Sequence, residues 1–107
     1  MQVIDHPTAA GNWEETSGTA MFTFAYVVGL KLGLLDVEEY GPAARKAWLA
    51  LTDNVTAGGE LNNVCGACYA SSCSDCLSFY FGRDKGTDWH GPGPLLWAAA
   101  ALIKDFK

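Results

Sequence analysis

The chain has 107 residues, half of them hydrophobic and 18% charged, which suits one folded domain and excludes a disordered chain. With 7 basic against 12 acidic residues the net charge is −5, and Arg45-Lys46 is the only adjacent basic pair, so nucleic acid has no electrostatic footprint here. The longest apolar stretch, Ala20 to Leu35, is interrupted by Lys31 and too short to span a membrane, and Met1-Gln2-Val3-Ile4-Asp5-His6 has neither the basic start nor the apolar core of a signal peptide.

Residues 1–15 read as irregular, with Pro7, Gly11 and the run Asn12-Trp13-Glu14-Glu15. Thr16 or Ser17 is expected to N-cap a helix over about Gly18–Leu32, with Gly33 as its stop. Met21, Phe22, Phe24, Tyr26, Val28 and Leu30 point in every direction, and a helix apolar all round is expected to be buried all round. The next helix, about Val37–Asp53, is amphipathic. Tyr40, Ala44, Ala47, Trp48 and Leu51 make one stripe, while Glu38, Glu39, Arg45, Lys46 and Asp53 lie mostly off it. Pro42 falls near its first turn, where a missing N–H is tolerated.

Ala57-Gly58-Gly59, between Val55 and Leu61–Val64, predicts a short hairpin. Residues 65–90 hold all four cysteines and read mostly as loop, with Phe79-Tyr80-Phe81 a short extended piece. Gly91-Pro92-Gly93-Pro94 opens a third helix, about Pro94–Lys104, again apolar on all sides. The predicted class is therefore all-α, about three helices with a short hairpin and a Cys-rich loop.

Buried helix, amphipathic helix, loop and buried helix follow one another as inner and outer helices do in an α/α toroid. A compact orthogonal helical domain has the same pattern. Three helices alone cannot cover two that are apolar all round. At roughly 25 cal/mol per Å² of apolar area, bare faces are costly, so the chain is expected to meet either further sequence or copies of itself.

Gln2-Val3-Ile4-Asp5, Glu15-Thr16-Ser17-Gly18-Thr19-Ala20-Met21-Phe22 and Asp88-Trp89-His90-Gly91-Pro92-Gly93-Pro94 resemble the unsaturated rhamnogalacturonyl and unsaturated glucuronyl hydrolases, glycoside hydrolase families 105 and 88. Gly33-Leu34-Leu35-Asp36, Ala44-Arg45-Lys46-Ala47-Trp48 and Asn63-Val64-Cys65 are similar to the same families, in the same order. The resemblance implies that residues 1–107 are a C-terminal fragment of a single (α/α)6-toroid domain. It implies an unsaturated oligosaccharide as substrate and release of the unsaturated uronic acid at its non-reducing end. A general-acid Asp protonates the C4–C5 double bond and activates water, with no metal and no cofactor. That Asp lies upstream of the matching stretch. None of Asp5, Asp36, Asp53, Asp75, Asp84 and Asp88 matches it, so the catalytic residue is unknown in this chain and the isolated chain is expected to be inactive.

Position carries over where the acid does not. In an α/α toroid the sugar cleft lies at one mouth, among loops entering the inner helices, so Glu14, Glu15, Thr16, Ser17, Asp88, Trp89 and His90 are expected near it. The substrate-binding candidates are Glu15, Thr16, Ser17, Asp88, Trp89 and His90. Trp89 suits stacking on a sugar face, and His90 or Glu15 suits its hydroxyls. The alternative roles are structural, with Thr16 as N-cap, Glu15 complementing the helix dipole and His90 bonded to a loop carbonyl.

The cysteines are spaced Cys65-x2-Cys68-x4-Cys73-x2-Cys76. A tetrahedral zinc site of this spacing makes a cramped knuckle. Two disulfides have three pairings, of which Cys65–Cys76 with Cys68–Cys73 avoids straining either CxxC. Free redox thiols need an electropositive helix start, and Asp75 without a nearby Lys opposes that. Asn54-Val55-Thr56 is a glycosylation sequon on an expected surface turn. Sequon, paired cysteines and an extracellular substrate favour an oxidising compartment, so secretion is expected. Two other functions fit, namely a small secreted sugar-binding or interaction module without catalysis and a zinc-stabilised structural domain.

Overall fold

A computed structural model describes residues 1–66 and 74–106. Its helices are α1 (Thr16–Lys31), α2 (Val37–Asp53), α3 (Cys76–Phe81) and α4 (Pro92–Ile103). No helix among the described residues is long and apolar enough to cross a membrane.

Glu15, rather than Thr16 or Ser17, caps α1. Its carboxylate loops back onto the first turn. Oε1 accepts from the Ser17 N–H at 3.0 Å and the Ser17 hydroxyl at 2.6 Å, and Oε2 accepts from the Gly18 N–H at 2.7 Å. The two hydroxyls expected to cap are donors instead. Ser17 gives its hydrogen to Glu15, and Thr16 gives its hydrogen to the Asn62 carbonyl at 2.7 Å. Deeper in α1 the Thr19 hydroxyl donates to the Glu15 carbonyl and the fully buried Thr23 to the Thr19 carbonyl, so polar side chains on the covered face are satisfied.

Gly33 ends α1 as expected. It sits at φ +69°, the Leu34 N–H reaches back to the Gly29 carbonyl at 2.8 Å, and the Gly33 N–H reaches Leu30 at 3.1 Å. This double bond pattern with a left-handed residue closes the last turn. Asp36 then caps α2, accepting from the Glu39 N–H at 2.9 Å, with Glu38 and Glu39 in the positive first turn. Pro42 is the sixth residue of α2, further in than its sequence reading placed it. Both it and Glu38, whose carbonyl loses a donor to it, are exposed, so water can substitute.

The stripe of α2 faces α1. Ala44 and Leu51 are buried, Tyr40, Ala47 and Trp48 half-buried, and Tyr40 meets Tyr26 with ring centres 5.8 Å apart. On its other flank α1 packs against α4. The two run parallel, because the Lys31 ammonium at the end of α1 donates to the Leu102 and Lys104 carbonyls at the end of α4, at 2.7 and 2.8 Å. A cation on terminal carbonyls satisfies acceptors that the helix leaves open. Two parallel helices with an antiparallel third outside them are the inner and outer pattern of a toroid.

Neither apolar helix is buried all round within this chain. On α1, Met21 is 49% and Phe22 59% exposed, and on α4 Trp97 is 57% and Ile103 87% exposed. The most covered positions are mostly small, Ala20 and Gly29 on α1 and Ala98 and Ala101 on α4, while Phe24 and Trp97 meet across the pair with ring centres 6.2 Å apart and Met21, Phe22 and Ile103 point away.

The expected hairpin is reduced to one antiparallel bridge, Val55 with Leu61, turning at Gly59 with φ +84°. Residues 79–81 are helical rather than extended. Asp75 caps α3 through the Ser78 N–H and hydroxyl, and those bonds hold its carboxyl below its usual range. α4 begins at Pro92, two residues earlier than expected, and ends at Ile103. Cys68 and Cys73 lie outside the described residues. Neither Cys65 nor Cys76 is a free thiol, which disagrees with thiolate ligation of zinc or redox thiols at these two positions.

Residues 62–66 join the entrances of α1 and α4. The Thr16 N–H donates to the Asn63 carbonyl at 3.0 Å, the Cys65 N–H to Glu15 Oε1 at 3.2 Å, and the Val64 N–H to the Gly86 carbonyl at 3.0 Å. Asn63 adopts φ 59°, a left-handed conformation that Asn tolerates better than most residues. Fully buried Val64 packs against Gly91, where an added Cβ would collide with one Val64 methyl and come within 3.2 Å of the other.

Two substitutions test this junction. Glu15→Ala removes the acceptor of four donors and is expected to cost about 2 kcal/mol in urea unfolding. Gly91→Ala drives a methyl into a stiff, fully buried valine and is expected to cost about 2 kcal/mol, despite the better intrinsic helix propensity of Ala. An unchanged midpoint for either would show that the junction does not hold the two helices together.

Candidate functional site

The site candidates divide into two groups on either side of the 62–66 segment. Glu15, Thr16 and Ser17 begin α1, and Asp88, Trp89 and His90 precede α4. Cys65 bonds to the first group, and Val64 packs at Gly91 beside the second. The structure thus brings both groups to the same end of the parallel helix pair, while no direct contact joins their side chains among those described.

The first group is framework. Thr16 and Ser17 are buried, and the Glu15 carboxylate is occupied by the α1 backbone, the Ser17 hydroxyl and Cys65. Glu15 still lines two depressions of about 200 Å³ each. One is shared with Thr19, Leu51 and Asn54, and the other with Gln2, Gly18 and Phe22. These depressions, rather than the capped carboxylate itself, are concave surface at the entrance of α1.

The second group is open. Trp89 is 88% exposed, far beyond what packing asks of an indole. His90 is not bonded to a loop carbonyl. Its Nδ1 lies 2.7 Å from Asp88 Oδ1, with the two side chains about one-third exposed. The Trp89 and His90 rings stand edge to face, with centres 6.0 Å apart and planes at 85°. An exposed aromatic face beside an oriented imidazole suits a polyhydroxylated ring, which offers C–H groups to one and hydroxyls to the other.

Asn54 is the C-cap of α2. Its amide donates to the Ala50 carbonyl at 2.9 Å and its oxygen accepts from Asn63 at 2.8 Å. Sequence reasoning missed two organising residues. Asn63 is marked by the stretch Asn63-Val64-Cys65 and by an Asn at a turn, neither of which gives it this role. Asn12, whose side chain accepts from the Val3 and Trp13 N–H groups and donates to the Val3 and His6 carbonyls, folds the N-terminal segment against buried Trp13. No group of three or more metal-ligating side chains exists among the described residues.

The chain is similar to solved enzymes over nearly its whole length. A glycoside hydrolase of family 105 from C. acetobutylicum ATCC 824 matches 92% of it with a TM-score of 0.77 and 26% identity, and a glycosyl hydrolase of family 88 from Bacteroides vulgatus matches 96% with a TM-score of 0.69 and 27% identity. Among curated proteins, an unsaturated 3S-rhamnoglycuronyl hydrolase of Formosa agariphila is 51% identical over 39 residues, 36% of this chain and 10% of that enzyme. The chain spans 30% and 28% of the two solved enzymes, less than a third of either. The all-α architecture is accordingly that of the helical toroid enzymes. The Glycosyl Hydrolase Family 88 model matches residues 1–106, so the chain belongs to this family of carbohydrate-cleaving enzymes.

Proposed function

We propose that residues 1–107 form the C-terminal portion of an (α/α)6 toroid, whose whole enzyme removes the unsaturated uronic acid from lyase-generated, pectin-type oligosaccharides. The observation that carries this reading is the bare apolar face of the α1–α4 pair. An inner helix of a closed ring has inner neighbours on both sides. Here α1 has α4 on one side and exposed Met21 and Phe22 elsewhere, while α4 exposes Trp97 and Ile103. Exposed apolar patches of this kind mark a contact surface, and further helix pairs of the same toroid are the occupant with the right shape. Self-association of the chain is the other way to cover that face.

The reaction needs a carboxylic acid that gives its proton to the C4–C5 double bond while water adds, after which the unstable hydrate opens. Four of the carboxylates here have other duties: Glu15, Asp36 and Asp75 cap helices, and Asp88 holds His90. On this reading the chain contributes the rim of the cleft, and the proton donor belongs to the rest of the toroid. The competing reading, a sugar-binding module without catalysis, draws on the openness of Trp89 alone. Supplied with an unsaturated uronyl disaccharide, the chain by itself is expected to leave the ultraviolet absorbance of the conjugated double bond unchanged. Turnover by the isolated chain overturns the assignment of the acid to the missing part.

We infer an extracellular site of action and two disulfides among the 4 cysteines. The absence of a free thiol at Cys65 and Cys76 supports this. Thiol titration of the unfolded, unreduced chain should find none, and four should appear after reduction. Four thiols before reduction would overturn the inference.

A further inference from the structure

The inner helix pair has two bare sides, and they are different surfaces. On α1, Met21, Phe22, Ala25 and Leu32 are exposed and share one side of the helix. On α4, Leu96, Ala100 and Ile103 are exposed at spacings of i, i+4 and i+7, roughly opposite the buried Ala98 and Ala101. Each stripe sets an alanine between larger apolar side chains, the relief by which one helix packs its ridges into the grooves of another.

The bare area is large for so small a chain. The surface exposed is 6895 Å², whereas a compact monomer of 11.4 kDa exposes about 5,800 Å². The radius of gyration is 14.9 Å, against about 13 Å for a compact domain of this length. The excess, about 1,100 Å², is more than the roughly 800 Å² that each partner gives to one stable interface.

Symmetry decides how copies of the chain cover it. A two-fold dimer pairs a surface with itself, so it covers the α1 stripe or the α4 stripe and leaves the other in water. Seating the α4 stripe of one copy on the α1 stripe of the next covers both. Such a head-to-tail contact closes into a ring when its rotation divides the circle. Each copy supplies two parallel inner helices and spans 30% and 28% of the two solved toroid enzymes, so three copies supply the six inner helices of one toroid. We propose that the 107-residue chain assembles as a three-fold ring, with α1 of each copy packed parallel to α4 of the next. Copies then take the places that neighbouring hairpins hold in the whole enzyme. The count of three rests on the toroid reading, and the ring goes beyond it by naming the chain itself as occupant of both faces.

The test is sedimentation equilibrium of the chain at micromolar concentration. The expected mass is about 34 kDa, three times the 11.4 kDa of one copy. Ala25→Asp spoils the α1 face and Ala100→Asp the α4 face, because each would place an unpaired carboxylate in the contact. Each variant alone should fall threefold in mass to the monomer with its helical circular dichroism unchanged, and Ala25→Arg or Ala100→Arg replaces either one that unfolds. Mixed in equal amounts, the two variants retain one intact face each and should form a pair of about 23 kDa that grows no further. A monomeric or dimeric unmodified chain overturns the proposal, as do open-ended assemblies, a variant that keeps the full mass, and a mixture that forms no pair. The two readings fail separately. A monomeric chain leaves the proposed reaction of the whole enzyme standing, and turnover of the unsaturated disaccharide by a ring overturns only the placement of the acid.

Discussion

Residues 62–66 carry more of this structure than any helix does. Their backbone takes the first N–H of α1 onto Asn63, gives the Cys65 N–H to Glu15, and gives the Val64 N–H to Gly86. Each bond satisfies a group at a helix entrance or loop that would otherwise be unpaired on leaving water. Val64 adds the apolar half, filling the space beside Gly91. The two parallel helices therefore meet at their N-terminal ends through a third segment, and the rim loops inherit their positions from it.

That dependence explains what was legible in the sequence. The apolar stripe of α2 and the Gly33 stop of α1 are local signals, governed by helical period and by the steric freedom of one glycine, and both are found in place. The α1 cap was misassigned because a hydroxyl at the right spacing says nothing about whether it accepts or donates. The Asn62 carbonyl and the Glu15 carboxylate, acceptors that bind Thr16 and Ser17, made donors of both. Residues 79–81 look extended by composition, but Asp75 supplies a cap that starts a helix turn. The rule that an all-apolar helix is buried all round presumes that its neighbours are present, and in this chain only part of that surface is met.

The two motif groups have taken different physical roles. Glu15 through Ser17 build the entrance of α1, where a charged cap oriented by four donors makes a rigid base. Asp88 through His90 have fewer such duties: the Asp88 carbonyl takes the Gly91 N–H, and the Asp88 carboxylate holds His90. A family motif can thus mix residues that shape a cleft with residues that touch what enters it. Burial and hydrogen-bond commitment separate the two kinds without any knowledge of the substrate.

Lys31 bears on how the chain reaches this state. Its ammonium ties α1 to carbonyls 71 and 73 residues further along. α1 and α2 are joined by a five-residue turn and can pair early, whereas α4 must wait for the whole intervening chain to close, a search that costs entropy before it is repaid. Until the clasp forms, the face of α1 that receives α4 lies open beside its bare outer face. The order of closure, local hairpin first and distant parallel helix last, makes the late arrival of α4 the step at which a folding chain is most exposed to capture by other chains.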